Sequence, residues 1–281
     1  MYETQLDKLT FTDVVRRLII ALNPLTLFIW LSGAFFMFNK KDKEIFRPVA
    51  VTVALNILLL AISKSKDYYF FSPIIMLIIF GSIWVEQKVL SFRKWLFYPV
   101  TIVLMLSGIL LIPWGIKVLP LQTFIDTYHI KEKDGITPVH FGEYYSNPLW
   151  HHTLTAIKHV YDSLPANEQR DCLIWGKHYR QAGIATLYKN KYHLPDAFSY
   201  HGSFYTWSPA GKIPATIIAF SNGEAGIDFF QPYFDSVIAV AKVHNPYAET
   251  EKDIWQTVYV CKSPRQDFTT MKILFKERIF E

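Results

Sequence analysis

The first 117 residues hold four long apolar runs separated by short charged loops, and no other feature restricts the fold as much. A helix needs about 20 consecutive apolar residues to cross a hydrocarbon core of about 30 Å. The runs at about 19–38, 45–63, 69–87 and 95–116 meet or approach that length. Pro24 and Pro73 lie near the starts of the first and third, where a missing N–H costs little. Trp95, Tyr98 and Trp114 flank the fourth, as aromatics do at a membrane interface. The stretch TFTDVVRRLIIAL before and into the first run is amphipathic and is expected to lie along the membrane surface. A cleavable signal peptide is not expected, because Asp7, Asp13, Arg16 and Arg17 interrupt the first 18 residues.

Charge divides the chain at the same place. Residues 1–120 carry 13 Lys/Arg against 7 Asp/Glu and no histidine, whereas residues 121–281 carry 16 against 17 and all nine histidines. The net charge of +5 therefore sits beside the apolar runs, which suits basic membrane loops and gives no reason to expect nucleic acid as a partner. Lys40, Lys41, Lys43 and Arg47 follow the first run, and Lys88, Arg93 and Lys94 follow the third. Basic loops stay on the cytoplasmic side, so the loop with Lys64, Lys66 and Asp67 falls outside, as does everything after the fourth run. The expected architecture is an α-helical transmembrane bundle of about four spans over residues 1–117, then a small α/β extracytoplasmic domain over 118–281. The expected location is the cell inner (plasma) membrane, multi-pass.

Within the second part, Trp150, Leu154, Ile157 and Tyr161 have helical spacing over 149–163. The runs 172–179, 212–220, 235–244 and 254–263 read as strands, the last two rich in Val and Ile. The segment RQAGIATLYKNKY reads as a helix between the first two. Strands alternating with helices predict a partly parallel sheet. Asn222–Gly223–Glu224 reads as a turn.

Signatures of nucleotide, metalloprotease and α/β-hydrolase sites are absent from the sequence, and nothing calls for a cofactor or a metal. His151, His152 and His159 lack the i, i+4 spacing of a metal clasp and read as surface histidines. Cys172 and Cys261 read either as two separate buried thiols or as one disulfide. The stretch Lys64-Ser65-Lys66-Asp67-Tyr68-Tyr69-Phe70-Phe71-Ser72-Pro73 stands at the expected outer membrane edge. Lysine offers a compact positive charge to a phosphate and tyrosine a directed hydroxyl donor, so the cluster could hold a lipid phosphate. Interfacial anchoring by Lys and Tyr is the plainer alternative, with Asp67 a solvated partner of Lys64 or Lys66.

The same cluster resembles a Lys-x-Tyr-Tyr-x-x-x-Pro stretch in the polytopic glycosyltransferases of the dolichyl-phosphate-mannose-protein mannosyltransferase type, including the bacterial aminoarabinose transferases. LNPLTLFIWLSG (22–33), IWGKHYRQAGIATLYKNKYHLP, YHGSFYTWSP (200–209) and PYAETEKDIWQTVYVCKSPRQDF are similar to segments of that family in the same order. The chain departs from the family pattern at Gly202, at Ser208 and at Tyr179-Arg180-Gln181-Ala182, which puts the acceptor contacts in doubt. The resemblance implies a membrane glycosyltransferase, or its C-terminal module, using a polyprenyl-phosphate-linked sugar as donor. It implies lipid-phosphate binding by Lys66 and Tyr69, with Lys64 and Tyr68 as runners-up, and acceptor-side roles for His201 and Trp207. The family's acidic general base lies in an early external loop, so the catalytic residue is unknown here and an N-terminal half of the enzyme is an expected partner alongside membrane lipid. The competing expectation is a non-catalytic membrane-anchored extracytoplasmic binding or sensor protein.

Overall fold

The computed structural model describes residues 11–39, 46–63, 65, 67–139, 148–223, 226–248 and 251–280. The chain divides into two compact units, Met1–Ile116 and Lys117–Glu281.

In the first unit, α1 (Phe11–Ala21) buries Val14 and Leu18 and exposes Arg16 and Arg17, the two-faced pattern of a helix at an interface. The chain then turns sharply. Asn23 adopts a left-handed φ of 68°, and its Oδ1 accepts the Leu25 N–H at 3.1 Å, capping a short 3-10 turn that starts at Pro24. Helix α2 (Leu27–Asn39) continues from that turn, and the axes before and after the break differ by 97°. The apolar run at 19–38 is therefore bent, where a straight span was expected. Helix α3 (Arg47–Ile62) has 16 residues, about 24 Å at the helical rise, which is short of the core thickness. Helix α4 (Phe71–Val85) is extended by a 3-10 turn before it and a π turn after it, so that Tyr68–Leu90 forms a 23-residue apolar helix. Helix α5 (Phe97–Gly115) lies within the 21-residue helix Lys94–Trp114. Two helices are thus long and apolar enough to cross a membrane, or three when the bent pair counts as one.

Helices α2 and α4 pack backbone to backbone. A Cβ built on Gly33 would stand 1.9 Å from the Leu77 carbonyl oxygen, and one on Gly81 1.9 Å from that of Ile29. Small residues at a crossing let two helices approach this closely. Phe36 and Phe80 stack beside it at 6.1 Å. By contrast, large side chains such as Leu31, Leu59, Met105 and Leu110 are exposed, a surface that suits lipid tails and not water.

The second unit is a layered α/β structure around one sheet. The helices are α6 (Leu121–Thr127), α7 (Pro148–Ser163), α8 (Ala166–Asp171), α9 (Tyr179–Leu187), α10 (Lys189–Tyr192), α11 (Phe204–Trp207), α12 (Gly226–Phe230) and α13 (Phe268–Leu274). The strands are β1 (Leu173–Gly176), β2 (Ala197–Phe198), β3 (Thr216–Asn222), β4 (Phe234–His244) and β5 (Trp255–Pro264). Their order is β2-β1-β3-β5-β4, with β1 parallel to both β2 and β3, and β5 antiparallel to β3 and β4. One face buries Trp175, Tyr200, Tyr259 and Phe234 beneath α12 and α13. The other buries Leu154, Ile157, Ile174 and Ile218 beneath α7 and α9. Gly176 lets α9 close over β1, since a Cβ there would lie 2.4 Å from the Ala182 nitrogen.

Several sequence expectations shift at their edges. The strand read over 172–179 stops at Gly176, because Lys177 and His178 already lead into α9. The helix read over 180–192 is two helices, α9 and α10. The Asn222–Gly223 turn is present, with Gly223 at a φ of 68°, while Glu224 lies outside the described residues.

Candidate functional site

Two places gather the residues that the sequence singled out, one in each unit. In the first unit, the 3-10 turn Asp67–Phe70 opens the apolar helix Tyr68–Leu90. Phe70 is buried with Val14 and Leu18 of α1, Trp30 of α2 and Ile74 of α4, and this cluster fixes the turn. Tyr68 and Tyr69 are left outside, 50% and 53% exposed, with ring centroids 4.5 Å apart. Their exposed rings belong to the polar end of a greasy helix, where a tyrosine keeps its ring in an apolar layer and its hydroxyl in a wet one. Lys64 and Lys66 lie outside the described residues. Packing of α1 against the same turn also brings the basic pair Arg16–Arg17 to this end of the unit, a contribution the sequence reading did not assign. An amphipathic basic helix just before a span was the available signal.

In the second unit, His201 and Trp207 have different environments. His201 is 1% exposed, whereas Trp207 is 70% exposed at the end of α11. His201 sits where the chain leaves β2, and its ring stacks on Tyr179 at 5.0 Å with an interplanar angle of 2°. Its Nδ1 accepts the Tyr179 N–H at 3.4 Å, which leaves the proton of the neutral ring on Nε2. The His178 ring lies 3.9 Å from it, centroid to centroid. Burial of the ring, and then the nearby His201, Arg180, Arg278 and Lys177, push the His178 pKa down to about 3, although the residue as a whole keeps an exposed edge.

This pair marks the carboxyl ends of the parallel strands. The chain leaves β1 toward β2 on one side and returns to β3 on the other, so the strand order reverses at β1. Open α/β sheets take ligands in the crevice at such a point. Around it, the His178 N–H donates to Gln181 Oε1 at 2.8 Å, and Gln181 Nε2 donates to Asn222 Oδ1 at 3.0 Å. Gln256 Nε2 donates to the same oxygen at 2.8 Å, and Asn222 Nδ2 donates to Asp253 Oδ1 at 2.7 Å. Arg278 donates from Nη2 to the Lys177 carbonyl at 3.2 Å, and its guanidinium and the Lys177 ammonium each lie 4.9 Å from the Phe229 ring. The arrangement offers directed amides and positive charge but no nucleophile paired with a base.

A polar cleft of about 410 Å³ lies at the opposite, amino edge of the parallel strands, lined by Arg170, Asp171, Lys189, Asp196 and Lys212 among others. Lys189 and Asp196 pair across it at 2.5 Å, and none of the residues named from the sequence as a binding site faces it. Cys172 and Cys261 are both free and buried, and burial raises their pKa values to about 11 and about 12, so neither is a reactive thiolate. His152 and His159 are exposed, but His151 is half-buried and its Nδ1 lies 2.5 Å from the Tyr192 hydroxyl, which ties α7 to α10. Among the described residues no group of three or more His, Cys, Asp or Glu is placed to hold a metal ion. Comparisons of the chain with protein-family models, with curated proteins and with solved structures return no match.

Proposed function

We propose that the chain is a membrane glycosyltransferase, or the C-terminal module of one, that moves a sugar from a polyprenyl-phosphate donor to an extracytoplasmic acceptor. The observation that carries this reading is the side-by-side exposed pair Tyr68–Tyr69 at the start of a 23-residue apolar helix, following Lys64 and Lys66 in sequence. In this reading α2 and α3 complete a bundle of about four spans, α3 by tilting little and drawing the bilayer thinner around its ends. Lys66 and Tyr69 hold the donor phosphate, assisted by Lys64 and Tyr68, and their positive charge and hydroxyl donors stabilise the phosphate as it leaves. The second unit lies outside the cytoplasm and presents His201 and Trp207 toward the acceptor. No carboxylate of this chain is assigned as the general base.

The test is sugar transfer from a polyprenyl-phosphate donor at limiting concentration, by the chain alone and together with any upstream gene product. Lys66→Ala and Tyr69→Phe are each expected to raise the apparent donor KM about tenfold, the loss of one charge-assisted hydrogen bond. An unchanged donor KM in both variants would remove these residues from the site. A second reading, an extracytoplasmic binding protein, is favoured by the cations Lys177, Arg180 and Arg278 around His178 at the strand-order reversal. Transfer activity in the first assay would decide against it.

A further inference from the structure

The second unit carries an apolar surface that its own fold does not use. Helix α13 turns Phe268 and Met271 inward and leaves Ile273 and Leu274 70% and 57% exposed. Helix α11 lies against it, because the Tyr205 hydroxyl donates to the Lys272 carbonyl at 2.9 Å and the Lys272 ammonium donates to the Thr206 carbonyl at 3.4 Å. That contact sets the exposed Trp207 beside the two exposed aliphatics. Lys272 and the exposed Lys276 rim the patch, with Glu277 the one acidic neighbour in the same turn. Soluble domains rarely group a bare tryptophan with two bare aliphatics unless something covers them.

Tryptophan beside aliphatics with lysine at the margin is the chemistry of a bilayer interface, where the indole sits at headgroup depth and lysine meets anionic lipid. The entry segment points the same way. Thr137 N–H donates to the Pro246 carbonyl at 2.8 Å, and Phe124 and Val139 pack around Tyr247, just beyond the end of β4. Strand β4 runs parallel to β3, so this contact lies at the carboxyl edge of the parallel strands. The turn after α13 ends at that edge too, through Arg278 and the Lys177 carbonyl. The segment that follows the last apolar helix and the turn beside the patch therefore share one edge of the unit.

We propose that the face made by Trp207, Ile273 and Leu274, with Lys272 and Lys276 at its rim, docks on the anionic lipid surface of the membrane that holds the chain. The docking needs no sugar transfer, so a failed transferase assay leaves it standing. The experiment uses the full chain in lipid nanodiscs made with and without phosphatidylglycerol. A fluorophore is placed at Trp207→Cys, at Ile273→Cys and, as a control at the opposite edge, at the exposed Asp171→Cys, the native thiols being buried. Lipids with a quencher just below the headgroup are expected to quench positions 207 and 273 several-fold more than 171, and more with phosphatidylglycerol. Lys276→Glu is expected to lower that quenching. Equal quenching at 207 and 171 would overturn the proposal. A probe at 207 that is shielded from water yet untouched by lipid quenchers would also overturn it, marking a protein partner such as a second copy.

Discussion

His178 shows how one side chain senses its neighbours in this protein. The ring is held neutral first by burial and then by surrounding positive groups, with its pKa down at about 3 from an ordinary 6.5. The unfolded chain therefore binds a proton below about pH 6.5 that the folded chain refuses until about pH 3. Stability linked to this group is intact above the unfolded value and drains away as pH falls between those limits. His178→Gln is expected to flatten that slope while leaving stability at neutral pH nearly unchanged. Hydrogen exchange of the β1 and β3 amides, measured at pH 7 and at pH 4.5, checks it. An equally steep acid loss in the variant would show that another group is responsible. Glu168 behaves in the opposite sense. Hydrogen bonds from Thr216 at 2.6 Å and Lys262 at 3.0 Å favour its charged form and lower its pKa, which fastens α8 to β3 and β5 at neutral pH.

Among the elements, the α2–α4 crossing tolerates least. Gly33 and Gly81 each face a backbone carbonyl where a methyl group has no room. Gly33→Val or Gly81→Val is expected to cost on the order of 3 kcal/mol, because the helices must separate and lose contacts along their length. Thermal unfolding in detergent, followed by the aromatic signal of the first unit, measures this. A fall of less than about 1 kcal/mol would mean that the helices are not held this close. The helices and long strands of this protein were legible from pattern alone. Val and Ile alternate through β4 and β5, and Trp150, Leu154 and Ile157 repeat at helical spacing in α7. Strand β2 was not legible, since two residues carry no period. The bend at Asn23 was hidden because every residue around it is apolar, and only the Asn-Pro pair hints that the helix restarts there. The tyrosine pair could be named in advance since its members are adjacent in sequence. The His178–His201–Tyr179 stack could not, for it joins residues 22 apart through the pairing of β1 with β2.

At the scale of the whole molecule, charge and apolarity divide the chain where its contacts do, at residues 116 and 117. The first unit exposes aliphatic side chains and the second buries them around a sheet, so the two are suited to different solvents. A reporter active only in the cytoplasm, fused after Glu281, is expected to stay silent, because the basic residues between the apolar helices favour a cytoplasmic side for their loops. Reporter activity would reverse the orientation and with it the external placement of Tyr68 and Tyr69. High-speed sedimentation without detergent gives a coarser check of the same division, with the intact chain expected in the pellet.

The two borders of the sheet differ in the welcome they give to a stray strand. Strand β2 offers two residues, too few to seed a ladder. Strand β4 offers eleven, with Ile238 and Val240 bare, and would template aggregation were its spacing regular. The register slips between Ala239 and Ala241, so the outward amides no longer repeat at the interval an incoming chain requires. A crowded, chaperone-poor surroundings can therefore hold many copies of this domain without their sheets fusing end to end, and straightening that slip by deleting Val240 would remove the safeguard.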